Sequence, residues 1–208
     1  MTLLIIRHGE TPLNVARVLQ PADTPLSANG LAQADALAQR LRTAGLAGIV
    51  SSDLPRALAT AQAIARVTGL ALQTSALLHE RNFGELRGLA YDGLGFDPLT
   101  AEAAPPGGES QAQFNARCQA AWAWLLAQQA RVGGPLAVVT HGLVIRDWLQ
   151  RGPLQLAPGM APPQRLANTS LTIASAAAPH GVTLLDCTAH LADGAGGPGE
   201  DARSLSGG

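Results

Sequence analysis

The sequence predicts an α/β fold, a three-layer α/β/α sandwich built around a mostly parallel central sheet. Short apolar runs with the character of buried strands, at 2–6, 48–51, 71–78 and 136–140, alternate with amphipathic helical patterns. Of 208 residues, 47% are hydrophobic and only 14% are charged. That chain can bury a substantial core, and the composition excludes disorder over most of its length. Helix-start and helix-stop residues fall in the gaps between the runs.

The elements follow in order. Thr2 to Ile6 is short, apolar and partly β-branched, and Arg7-His8-Gly9 ends it. A turn-rich stretch follows, with Pro12, Asn14, Pro21, Asp23, Pro25, Asn29 and Gly30. A helical pattern from about Leu31 to Leu41 sets Leu31, Ala34, Leu37, Ala38 and Leu41 on one face, and Gly45 stops it. Gly48 to Ser51 reads as a second strand. Ser52 or Asp53 can then cap a helix that carries Pro55 in its first turn and stops near Gly69. Ala71 to Leu78 reads as a third strand, and His79 to Gly108 as loop and short helix.

Ser110 with Gln113 makes a capping box that opens a long helix to about Arg131, with Phe114, Ala121 and Leu125 inward and Gly133-Gly134 at its end. Leu136 to Thr140 is a fourth strand. His141-Gly142 follows, then a helix from about Leu143 to Leu149. Asn168 to Ser175 and Val182 to Cys187 resemble two further strands joined at Pro179-His180-Gly181. Residues 1–191 read as a single domain, and 192–208, rich in Gly, Ser and acids, as a poorly ordered tail.

A formal net charge of −1 argues against a chain built to coat nucleic acid or an anionic membrane, so any anion site must be local. There is no lysine; every basic residue among the Lys/Arg class is arginine. A bound phosphate must therefore be held by Arg, His, polar side chains or backbone N–H groups, and the planar arginine fork suits two phosphate oxygens. Cys118 and Cys187 are too few for a disulfide scaffold and lack metal-ligand spacing, so they read as buried free thiols. With no signal-peptide pattern and no apolar run near the roughly 20 residues of a membrane span, a cytoplasmic protein is expected. A homodimer is the expectation from general oligomer statistics.

In α/β folds, sites gather at the carboxyl ends of strands. Arg7-His8, Arg56, Glu80 and His141 fall there. A neutral imidazole whose other nitrogen is fixed by a hydrogen bond is a competent nucleophile toward phosphorus. Thr140-His141-Gly142 repeats the strand-His-Gly pattern of His8, so two imidazoles on neighbouring strands can converge. One would attack while the other, protonated, stabilises the equatorial oxygens. Arg56 in the first turn of a helix works against the macrodipole, which favours an anion clamp with Arg7 over a stabilising role. Glu80, with a pKa raised by burial, could protonate a departing alkoxide. Taken singly, each has an ordinary reading: a turn or cap histidine, a solvated arginine, a surface glutamate.

Taken together and in order, Arg7-His8-Gly9-Glu10-Thr11, Ser52-Asp53-Leu54-Pro55-Arg56-Ala57, Glu80-Arg81-Asn82-Phe83-Gly84 and Val139-Thr140-His141-Gly142 resemble the histidine phosphatase superfamily, which includes the cofactor-dependent phosphoglycerate mutases. Pro106-Gly107-Gly108-Glu109-Ser110 and Asn168-Thr169-Ser170 resemble motifs of the same family, and the likeness spans about residues 2 to 175. The resemblance implies a phosphoglycerate mutase-like fold. It implies that His8 becomes a transient phosphohistidine, that Arg7, Arg56 and His141 bind the transferred phosphoryl group, and that Glu80 is general acid and then base. It places Asn14 on the phosphate, with Thr11 and the backbone of Gly142 as further contacts. It implies no metal and no cofactor.

Hydrolysis is expected over mutase chemistry. Leu89 to Ser110 is short and carries Asp92, Asp97, Glu102 and Glu109 with no Arg or Lys, which would repel a bisphosphate. Arg81 and Arg87 could bind a carboxylate, which leaves a cofactor-dependent mutase as the alternative. A non-catalytic phosphate-ligand binder of the same fold is the second alternative. Leu94, Phe96 and Leu99 suggest a partly apolar lid. Gln20-Pro21-Ala22-Asp23 is one residue shorter than the usual family loop and lacks its glycine. His79, His180 and His190 read as surface or turn residues. The partner expected is a small phosphorylated substrate.

Overall fold

The computed structural model describes residues 1–192. The tail expected over 192–208 lies, but for its first residue, outside the described residues. Among these residues, seven strands form one sheet: β1 (Thr2–Arg7), β2 (Gly48–Ser51), β3 (Leu72–Thr74), β4 (Leu136–Thr140), β5 (Gln155–Leu156), β6 (Leu171–Ser175) and β7 (Gly181–Cys187). Their order is β3-β2-β4-β1-β6-β7-β5. From β3 to β1 every pairing is parallel; β6 then runs antiparallel to β1, β7 antiparallel to β6, and β5 parallel to β7.

Among the described residues, five α-helices accompany the sheet: α1 (Pro12–Val15), α2 (Ala28–Leu41), α3 (Pro55–Thr68), α4 (Gln111–Val132) and α5 (Gly142–Gln150). The central strands are apolar on both faces because both faces are covered, as parallel sheets require. Leu3, Ile5, Leu136 and Val138 pack with Phe114, Leu125, Val144 and Trp148 of α4 and α5. Leu4, Ile6, Ala137 and Val139 pack with Leu37, Leu41, Ala57 and Ile64 of α2 and α3. The alternation along β1 and β4 thus assigns successive residues to opposite layers.

Several elements differ from expectation. The third strand ends at Thr74, because the Ser75 hydroxyl accepts from Leu77 N–H and turns the chain into a 3-10 turn at Ala76–Leu78. The strand expected from Asn168 starts at Leu171, since Thr169 takes a left-handed φ of 54°. Helix α2 begins three residues early under a Ser27 cap, and Leu31 lies on its outer face, exposed. Neither Ser52 nor Asp53 caps α3; the residue before Pro55 is Leu54, and the Ser52 hydroxyl is engaged elsewhere. Helix α1 and strand β5 were not expected. Cys118 is buried, but Cys187 is only partly so, and its sulfur accepts from Arg40 at 3.3 Å. No helix among the described residues is long and apolar enough to cross a membrane.

Candidate active site

The parallel register pairs Arg7 with Thr140, and His8 N–H donates to Thr140 O at 3.0 Å, so the two histidines that follow lie side by side. Their ring centroids are 5.1 Å apart, with His8 and His141 both buried. Gly9 is required here by close approach: a Cβ would stand 2.6 Å from Gly30 O at the start of α2.

His8 Nδ1 lies 2.7 Å from Gly9 O. A carbonyl only accepts, so Nδ1 carries the proton and the neutral ring keeps its lone pair on Nε2. Burial, then the charges of Arg56 and Arg7, push the His8 pKa well below 6.5 and hold it neutral. His141 Nε2 is 2.8 Å from Ser52 Oγ, which also accepts from Leu54 N–H. With the serine proton donated to Nε2, the proton of the His141 ring sits on Nδ1, a buried atom without a hydrogen-bond partner. Burial and Arg56 depress its pKa too. The expected imidazolium is therefore a neutral ring before substrate binds, presenting a donor rather than a charge.

Arg7 is buried, donates to Leu166 O and lies against Gly142. Arg56, at the second position of α3, is buried and reaches Pro21 O and Ala22 O only at 3.4 and 3.5 Å. Burial lowers its pKa to about 10, with Glu80 opposing, so it stays charged at neutral pH. Asn14 is the third residue of α1. Its Oδ1 accepts from Thr11 N–H and Asn168 Nδ2, which leaves the amide N–H groups as the part available to the cleft. The α1 capping box that places it, Thr11 and Asn14, is visible in the sequence.

Glu80 spans two anchors: Oε1 accepts from Arg81 N–H at 3.0 Å and Oε2 from Leu143 N–H at 3.1 Å, in the first turn of α5. Those bonds and the nearby Arg56 and Arg7 favour the carboxylate. Burial outweighs them and raises the pKa. Behind it, Arg117 of α4 donates to the carbonyls of Leu77, His79 and Glu80 and to both oxygens of Glu109. Glu109 in turn accepts from Asn82 N–H.

Arg7, His8, Asn14, Arg56, Glu80 and Gly142 thus border one cleft, with His141 packed against His8. Two expected substrate contacts stand differently. Thr11 is fully buried as the α1 cap, its hydroxyl donating to Gln20. Arg81 borders the cleft, but its guanidinium donates to Glu109 O, Gln111 Oε1 and Ala101 O, strapping the 98–111 segment to Glu80. Gln20, Tyr91, Leu19 and Leu143 complete the walls and were not expected; only the fold brings residues 19–20 and 91 to Glu80. Leu99 packs with Leu19 and Phe83 while Phe96 is exposed, so the apolar lid is smaller than expected. His190, partly exposed in the 3-10 turn Ala189–Leu191 and so a turn residue as expected, also bridges Arg40 and Thr169, whose N–H donates to His8 O.

Comparison with known proteins identifies the family and the fold. The profile of the Histidine phosphatase superfamily (branch 1) matches residues 3–185. A Yersinia pestis protein described as a probable phosphoglycerate mutase is 36% identical over 155 residues, 70% of this chain and 71% of that one. A mycobacterial glucosyl-3-phosphoglycerate phosphatase, solved with VO3, is 34% identical with TM-score 0.70, covering 84% of this chain and 90% of its own. A phosphoglycerate mutase from Bacillus anthracis is 26% identical with TM-score 0.75, covering 91% and 94%. With two buried strand-end histidines, two buried arginines and a half-buried glutamate around one cleft, this chain belongs to the histidine phosphatase superfamily, branch 1.

Proposed function

We propose that the chain is a phosphomonoesterase acting on a small phosphate ester through a phosphohistidine on His8. The carrying observation is the His8–Gly9 hydrogen bond, which leaves the Nε2 lone pair on a neutral ring beside Arg7 and Arg56. In the first step Nε2 bonds to phosphorus, the ester P–O bond breaks, and the leaving oxygen takes the proton of Glu80. In the second, water attacks phosphorus, Glu80 takes its proton, and the N–P bond breaks. Ester and water become alcohol and phosphate. Arg7, Arg56, Asn14 and the Nδ1 donor of His141 stabilise the equatorial oxygens. The positive charge this needs is supplied by side chains, so activity should persist in EDTA.

Hydrolysis is favoured over mutase chemistry because two of the three arginines beside Glu80, Arg81 and Arg117, are committed to protein partners, which leaves Arg87 alone for a second anionic group. A mutase is the second reading, supported by the names of two relatives. The test is turnover of p-nitrophenyl phosphate and 3-phosphoglycerate by wild type and His8→Ala, with EDTA. Phosphate release that falls on the order of 10⁴-fold or more in the variant supports the proposal. Isomerisation of 3-phosphoglycerate, stimulated by 2,3-bisphosphoglycerate and faster than phosphate release, would replace it with a mutase. Unchanged release by His8→Ala would remove His8 from the chemistry.

A further inference from the structure

Residues 77–80 carry Glu80 into the site, and among the described residues no strand pairs with them. Strand β3 ends at Thr74 and the 3-10 turn Ala76–Leu78 follows. Carbonyls in such a segment still need donors. Here side chains supply all four. Arg117 Nη1 donates to Leu77 O at 3.0 Å and to His79 O at 2.7 Å, and Nη2 donates to Glu80 O at 3.3 Å. Leu78 O accepts from the Thr140 hydroxyl at 2.8 Å. One guanidinium thus takes most of the place that a neighbouring strand would fill.

Arg117 is itself fixed. Its Nε and Nη2 donate to Glu109 Oε1 and Oε2 at 2.9 and 2.8 Å, a two-bond fork. Its guanidinium carbon lies 5.2 Å from the centroid of the Phe114 ring, one turn back along α4. Glu109 Oε2 also accepts from Asn82 N–H at 3.2 Å. The chain on both sides of Glu80 and Arg81 is therefore tied to one ion pair. All five N–H donors of Arg117 have protein acceptors, so none is left for a substrate. It borders the outer groove and not the inner cleft of Arg7, His8 and Asn14.

The two bonds that aim the Glu80 carboxyl have different footings. Arg81 N–H belongs to the same segment and moves with it. Leu143 N–H stands on α5 and does not. Leu143 is in the first turn of that helix, where an N–H has no carbonyl inside the helix. A shift of residues 77–80 against α5 would break this second bond and turn the carboxyl from the ester oxygen.

We propose that Arg117, neutralised by Glu109, is a positioning residue for proton transfer: it holds the carbonyls of residues 77–80 so that Glu80 bridges Arg81 and Leu143 and faces the leaving oxygen. This rests on the phosphatase reading above.

The experiment measures single-turnover phosphorylation of His8 by p-nitrophenyl phosphate and by glycerol 3-phosphate. The variants are Arg117→Met, Arg117→Lys, Glu80→Gln and Arg117→Met with Glu80→Gln. The readout is the ratio of the first rate to the second, because only the alkyl ester needs the proton. A general structural defect lowers both rates and leaves the ratio alone. Arg117→Met should raise the ratio about 10- to 100-fold, the cost of an ångström-scale misplacement. Arg117→Lys, which keeps a donor without the planar fork, should raise it less. In the Glu80→Gln background Arg117→Met should change the ratio no further, since both act through one group. A wild-type ratio in Arg117→Met, or effects that multiply in the double variant, would overturn the proposal. Deuterium exchange at the Leu143 amide is a second readout that needs no turnover. Arg117→Met should speed it by about 10-fold or more while the amides of β1 and β4 keep their wild-type rates. Unchanged exchange at Leu143 would also overturn the proposal. Should wild type react with neither ester, the phosphatase reading fails on its own, and the Leu143 amide decides whether Arg117 holds Glu80. Melting curves show which variants fold; if Arg117→Met does not, Arg117→Lys carries both readouts.

Discussion

Glu80 is pulled two ways, and the winner sets a pH dependence. Two backbone N–H bonds and two arginines favour its ionised form; burial favours the acid and prevails. The acid form therefore survives above the ordinary carboxylate range, and leaving-group protonation is lost as pH rises through the raised pKa. An alkyl ester needs that proton and p-nitrophenolate does not. Glu80→Gln should slow phosphorylation of His8 by glycerol 3-phosphate by about 10²–10⁴-fold. The single-turnover burst of p-nitrophenolate should persist, with slow turnover afterwards because no base activates water. Equal loss of the burst would remove Glu80 from proton transfer. His8 and His141 were legible because each follows a strand, Arg7 because it ends one and Arg56 because it opens the helix after one; Glu80 follows a 3-10 turn rather than a strand and was legible through its place in Glu80-Arg81-Asn82-Phe83-Gly84. The true partners of Arg81 were not: they are carbonyls and an amide up to 30 positions away, and no local pattern announces them. Arg87 was legible as a cation, but only the fold shows that it is left without an acceptor.

At the scale of elements, the Glu80 segment is held by an interlock. Gly84 has φ +51°, and a Cβ there would stand 2.0 Å from Pro106 O and 2.6 Å from Gly108 N. Glu85 N–H donates to Pro106 O and Glu109 N–H to Asn82 O, so segments 82–85 and 106–109 meet backbone to backbone. Gly84→Ala forces them apart. The expected cost is about 1–3 kcal/mol in unfolding free energy, with a fall in kcat on alkyl esters exceeding that on p-nitrophenyl phosphate, since Glu80 is what shifts. A melting temperature and kinetics equal to wild type would show the contact to be slack. Long helices and buried strands were legible through period and caps: α4 carries the Ser110–Gln113 box that the structure contains. Shorter pieces were not. Strand β5 has two residues and exists only because β7 lies beside it. The 71–78 run holds enough apolar residues for a strand, yet the Ser75 cap ends it early. Helix α1 was hidden among turn residues, although its Thr11 cap, Pro12 and Asn14 are recognisable signals.

At the scale of the whole molecule, the alternation of strands and helices made the layered architecture readable, while the antiparallel β6 and β7 edge was not, since apolar runs carry no direction. The separation of the two imidazoles is a property of the sheet. Neighbouring strands lie about 4.8 Å apart, and the rings that follow β1 and β4 are 5.1 Å apart. These two strands sit inside a seven-stranded sheet, roofed on both faces, whereas the leaving-group wall is loop and 3-10 turn over residues 84–101. The site is thus divided between the slowest-opening and the faster-opening parts of the chain. Deuterium should enter the amides of β1 and β4 only through global unfolding and those of 84–101 through local opening; equal rates in both would dissolve this division. Its consequence appears on gentle heating or in dilute urea. Turnover of an undemanding aryl phosphate should hold until the whole molecule melts, while discrimination among substrates fades first, so the protein would grow less choosy before it grows inactive.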